Sequence, residues 1–152
     1  MDQSAGITTS RDPSANPAAW HVTDFAPDVE VFGVTCRSAT LCVGSENTGS
    51  VATSTNPAGA ASTWKVANID PRANVNPGVS VSVNCSPHGR CIAFDPFGTA
   101  FTSARPDRGR SSWSRSNVDA YGLTTASCPS MTLCVAADGY GRIAVGKSTR
   151  AH

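Results

Sequence analysis

Leucine is nearly missing from this chain: 152 residues hold only Leu41, Leu123 and Leu133. Ten prolines are scattered at intervals that would break most long helices, so a helical bundle is excluded. No apolar run approaches the ~20 residues that a membrane helix needs. Charged residues make up 15% and the net charge is +1, which leaves no electrostatic case for nucleic acid or an anionic membrane surface. Lysine is scarce, with two against ten arginines, a bias found in GC-rich genomes. The first residues, Met1-Asp2-Gln3-Ser4, have neither the basic start nor the apolar core of a signal peptide.

Glycine, proline, serine, threonine and valine dominate instead. Short β-branched runs such as Val31–Thr35 and Val79–Asn84 are bounded by Gly and Pro and predict many short strands with tight connections. Hydrophobic content of 39% fits a folded chain.

The strongest signal is self-similarity. Cys-x5-Cys occurs as Cys36/Cys42, Cys85/Cys91 and Cys128/Cys134. Four residues after each second cysteine stands an acid, Glu46, Asp95 or Asp138, followed three residues later by Gly49, Gly98 or Gly141. A second block, Ser-x2-Pro-x6-Trp, also recurs three times: Ser10, Pro13, Trp20; Ser54, Pro57, Trp64; Ser103, Pro106, Trp113. The period of 43 to 49 residues is that of propeller blades.

Each repeat folds as a four-stranded antiparallel meander. In the best-formed copy the strands are 31–36, 42–45, 50–54 and 64–67, with the acid turn before the third. Such a meander cannot bury both faces alone, so the repeats must stack, with the tryptophans as packing residues between them. Solvent-facing tryptophans would instead suggest a sugar-binding lectin. The organisation is one repeat domain over residues 1–152: a partial blade at 5–27, blades at 29–70 and 78–119, and a partial blade at 121–149. The fold class is all-β and propeller-like, with about three four-stranded blades; a β-trefoil, also built from three such repeats, is the alternative.

Five intervening residues place each cysteine pair opposite across a hairpin, which predicts local disulfides 36–42, 85–91 and 128–134. Zinc sites favour tighter Cys spacings with further ligands, and His21, His88 and His152 are the only histidines, so no metal and no cofactor is expected. Disulfides imply an oxidising compartment, extracellular or at the cell surface.

The run Thr125–Ala136, containing Cys128-Pro129-Ser130-Met131-Thr132-Leu133-Cys134, resembles the secreted β-propeller repeats of actinobacteria. The segments Ser10–Trp20 and Ser54–Trp64 are similar to the Asp-box hairpin of sialidase-like propellers, although Arg105 stands where Asp12 and Asn56 stand in the other copies. The resemblance implies a fold and an extracellular setting rather than a reaction.

Catalytic constellations are poor. The recurring acids read as turn residues that accept backbone N–H groups. The threefold repetition of the block serines argues against one nucleophile. Sialidase chemistry would need an arginine cluster with a tyrosine nucleophile, and neither Tyr121 nor Tyr140 sits in a block that supports that role. The expected function is therefore a non-catalytic extracellular binding or scaffold module, recognising glycans or protein partners through blade-face loops. The alternative is a fragment of a secreted sialidase-like or other glycoside hydrolase. The candidate ligand-binding residues are Arg105, Arg108 and Arg110, the densest local charge; Arg72–Gly78 and Pro96-Phe97 are the other variable loops. About three blades do not close a ring, so the chain is expected either to form a homodimer or to belong to a longer propeller.

Overall fold

The computed structural model of the chain describes residues 6–25, 30–74 and 79–147. The Met1–Ser4 start, positions 75–78 of the Arg72–Gly78 loop, the outermost residues of the partial blades and His152 lie outside the described residues.

Four antiparallel sheets follow one another along the chain. The first holds β1 (Gly6–Ser10) and β2 (Trp20–Asp24). The second is the meander β3 (Val31–Ser38), β4 (Leu41–Glu46), β5 (Ser50–Ser54) and β6 (Trp64–Asn68). The third repeats it with β7 (Ser82–Cys85), β8 (Cys91–Phe94), β9 (Thr99–Ser103) and β10 (Ser114–Asn117). The fourth holds β11 (Leu123–Ser127), β12 (Leu133–Asp138) and β13 (Ile143–Lys147). Every strand pairs with its sequence neighbour, and β7 packs beside both β3 and β11. This is the propeller-like arrangement of stacked meanders, with the first strands innermost; separate sheets rule out the trefoil.

The register explains the repeat blocks. Cys36 faces Cys42 across β3–β4, and Cys85 faces Cys91 across β7–β8. All three predicted disulfides form, each with Cα atoms 4.0 Å apart. In the Ser-Pro-Trp block, serine and tryptophan are strand partners: Ser10 with Trp20, and Ser54 with Trp64. The serine hydroxyl accepts the N–H two residues on, from Asp12, Asn56 and Arg105 at 3.1, 3.0 and 3.1 Å. It therefore starts the loop. A one-turn 3-10 segment then delivers each tryptophan to its strand, the indole-bearing residue donating its N–H back to Pro17, Ala61 or Arg110.

The core is divided among the junctions between sheets. Ile7, Phe25, Cys42, Ala52 and Trp64 fill the first junction, where Phe25 meets the Trp64 ring edge-on at 5.9 Å. Val43, Val51, Ile69, Val81, Phe101 and Trp113 belong to the second cluster. Ile92, Phe94, Ala100, Leu123, Ala126 and Ala136 form the third, which contains no tryptophan. Each buried indole thus stands at the first residue of a fourth strand (Trp64) or just before it (Trp113) and packs back against the preceding sheet. Trp20, on the first sheet, is 43% exposed, because no sheet precedes it among the described residues.

Candidate functional site

The loops gather at two rims. One carries the disulfide hairpins and the loops that join third to fourth strands. The other carries the acid turns and the links between successive sheets.

At the acid-turn rim the repeated carboxylates are buried and occupied. Asp95 Oδ1 accepts the N–H groups of Phe97 (2.8 Å) and Thr99 (2.9 Å). Asp138 Oδ1 does the same for Tyr140 (2.8 Å) and Arg142 (2.9 Å). Glu46, one methylene longer, instead accepts the Thr48 hydroxyl at 2.6 Å. Asp95 and Asp138 thus accept turn N–H groups as expected, whereas Glu46 accepts a turn hydroxyl. Gly98 closes its turn with φ +83°, and a Cβ there would lie 1.7 Å from the carbonyl oxygen of Asp119. A Cβ on Gly122, at φ +84°, would lie 2.1 Å from the carbonyl oxygen of Pro96 on the other side, so turn and link interlock through two glycines.

Two arginines tie the links to the turns. Arg72 sets Nε and Nη2 on the carboxylate of Asp70, both at 3.0 Å. Its Nη2 also donates to Asp95 and, at 2.8 Å, to the Thr99 hydroxyl. Arg142 donates from Nε to Asp138 at 2.6 Å and from Nη2 to Asp119 at 2.7 Å. The Asp138 carboxyl is held below the usual carboxylate range chiefly by the backbone N–H of Arg142, then by its guanidinium and by the Tyr140 N–H, against an opposing push from burial. Arg142 is raised in turn by its hydrogen bond to Asp138. Sequence reading placed Arg72 only within a variable loop and missed these clasps. Asp70 and Asp119 stand six residues after Trp64 and Trp113, which is the one signal that could have found them.

Aromatic side chains stand out from this frame. Tyr121 and Tyr140 are 60% and 74% exposed, with ring centroids 5.2 Å apart and planes inclined at 59°. The Arg142 guanidinium lies 4.1 Å from the centre of the Tyr121 ring, and that of Arg72 lies 5.5 Å from the centre of the exposed Phe97 ring. The backbone of each tyrosine is fixed by an aspartate two residues earlier: Tyr121 N–H donates to Asp119 and Tyr140 N–H to Asp138, both at 2.8 Å. The arrangement is a rigid rim bearing projecting aromatic rings and cationic groups already engaged by carboxylates.

Arg105, Arg108 and Arg110 lie at the opposite rim, on the β9–β10 loop. All three are exposed, and among the described residues their guanidinium groups make no ion pair. They are therefore not brought together with Tyr121 and Tyr140. His21 and His88 are also exposed, the first on β2 and the second in the Cys85–Cys91 hairpin. Among the described residues no group of histidine, cysteine and acidic side chains is arranged to hold a metal ion.

No family model matches the chain, and no curated protein matches it. Among solved structures it is similar to YCF48 from Cyanidioschyzon merolae, a β-propeller protein, at 13% identity and a TM-score of 0.56. The match covers 84% of this chain and 40% of that one, so the chain spans well under half of that propeller's length. At such identity the likeness establishes the fold: this chain is a propeller-like array of antiparallel blades stapled by three disulfides.

Proposed function

We propose that the chain is a non-catalytic, extracellular or cell-surface binding module that takes a glycan on its acid-turn rim. The observation carrying this reading is the Tyr121–Tyr140 pair: two neighbouring aromatic rings left in solvent while hydrogen bonds at 2.8 Å anchor the backbone beneath each. Large exposed aromatic groups on a rigid frame provide contact area at little entropic cost. The apolar face of a sugar ring can lie against such a phenol while its hydroxyls stay hydrated. The three disulfides support an oxidising setting, consistent with presentation outside the cell.

A binding role is also supported by how the reactive groups are spent. The block serines Ser10, Ser54 and Ser103 accept loop N–H groups, and Asp95 and Asp138 accept turn N–H groups while bonding arginine.

A glycan array run with the wild-type chain and with Tyr140→Ala and Tyr121→Ala variants tests this reading. The expected result is selective binding that falls roughly tenfold or more in each variant with the melting temperature unchanged. Turnover of fluorogenic glycosides by the wild-type chain, or glycan binding indifferent to both tyrosines, would overturn it.

A further inference from the structure

The junction between the third and fourth sheets differs from the other two in one respect: where a fourth strand and its indole should pack, there is an open groove of about 510 Å³. Its walls include Ile92, Ala100 and Thr102 of the third sheet and Ala136, Ala144 and Gly146 of the fourth. Three of these positions match the surroundings of the buried indoles. Aligning on Cys42, Cys91 and Cys134, Ile92 and Ala100 correspond to Val43 and Val51, which cluster with Trp113. Ala144 corresponds to Ala52, which clusters with Trp64. The groove is therefore a tryptophan socket.

β13 bonds β12 through one edge and carries no strand on the other among the described residues. It repeats β1 in register: Ile143 stands where β1 has Ile7, and Gly146 where it has Ser10. Yet Ile7 is buried against the second sheet, whereas Ile143 is 71% exposed. β2, the only fourth strand whose tryptophan is not buried, is held by β1 alone through five residue pairs.

The geometry points to strand exchange between two copies of this chain, in which β13 of one replaces β1 of the other beside β2. The ladder lost and the ladder gained each pair five residues, so hydrogen bonding changes little. The gain is burial: Trp20 enters the socket between the third and fourth sheets of the receiving copy, and Ile143 takes the place of Ile7 against Trp64. Two-fold symmetry lets each copy donate and receive once, closing a ring in which two of six blades are composite. In the register of β5–β6, Ala144 of one copy then faces Val22 of the other, and Arg142 faces Asp24.

Sedimentation equilibrium of the full chain over a range of concentrations tests the exchange. The expected species is about 31 kDa, twice the 15.6 kDa chain. Trp20→Ala should raise the dissociation constant roughly tenfold or more. Deleting residues 1–10 should strengthen association, because β13 then has no competitor for β2. Partnered strands bring Cα atoms within disulfide reach. Mixing Val22→Cys and Ala144→Cys variants under oxidising conditions should therefore give the mixed disulfide, in excess of either self-linked product. A monomer at all concentrations, or a dimer indifferent to Trp20 and without the mixed bond, would overturn the proposal.

Discussion

Arg72 and Arg142 perform the same task from different positions in the repeat. Arg72 lies in the link after the second sheet, two residues beyond Asp70, and reaches across to Asp95 in the turn of the third. Arg142 lies in the turn of the fourth sheet, four residues beyond Asp138, and reaches back to Asp119 in the link after the third. Where Arg142 stands, the preceding repeat has Thr99, whose hydroxyl receives Arg72. Each of these two junctions thus carries two carboxylates and one guanidinium, and the guanidinium is supplied from either side. In both, the cation between the acids of turn and link offsets the cost of holding carboxylates side by side.

Arg72→Met is expected to destabilise the chain by about 3 kcal/mol, at the low end for a broken buried ion pair because Arg72 is partly solvent-accessible. Asp70 and Asp95 would be left facing each other without their cation. Denaturant unfolding measures the loss, and combining Arg72→Met with Asp70→Asn should return part of it. A single variant as stable as wild type would show that the clasp is a surface pair of little consequence.

Asp138 makes the fold acid-sensitive. Its carboxyl is depressed in the folded chain, first by the Arg142 N–H, so its contribution is fully present above the unfolded value of about 3.9 and is lost as pH falls through the lower folded value. Melting temperature should therefore fall more steeply below about pH 4 in wild type than in Asp138→Asn. The variant should be less stable at neutral pH, with the two curves converging in acid.

The strands, the hairpin pairing of the cysteines and the propeller-like class were legible because each is a local pattern repeated three times. The sequence pattern places strand three at 50–54, and the structure has β5 over those residues. The clasps were not legible, since Arg72 and Arg142 do not align in the repeat and their acids belong to different sheets. Nor could sequence separate Trp20 from Trp64 and Trp113. The three share one block, and only the sheet that precedes each decides whether its indole is covered. The arginine loop drew attention by local charge, whereas Tyr121 lies in a link outside both blocks and Tyr140 at a variable position of the acid turn, and the two meet only in three dimensions.

Trp64 and Trp20 should consequently differ in their effect on stability. Trp64→Ala removes a buried indole from contact with Ile7, Phe25 and Ala52 and should cost about 3 to 5 kcal/mol. Trp20→Ala, measured in dilute solution where chains are apart, should cost less, about 1 kcal/mol, because that residue keeps 43% of its surface in water. Equal losses at the two positions would mean that Trp20 is covered within its own chain.

Each disulfide closes a loop spanning six residues of sequence separation, so its effect is local and its chain-entropy share is the same in all three sheets. Chain entropy assigns about 2 kcal/mol to a loop of that size. Replacing one pair by alanine should remove roughly that amount, and the three losses should add, since the bonds sit on separate sheets with no shared partner. Cys85 and Cys91 belong to the cluster that buries Trp113, so their removal should cost more than that of Cys36 and Cys42, where Cys36 is exposed. Non-reducing peptide mapping should recover 36–42, 85–91 and 128–134 and no free thiol. Bonds crossing from one sheet to another would contradict the strand register in which Cys36 faces Cys42 and Cys85 faces Cys91.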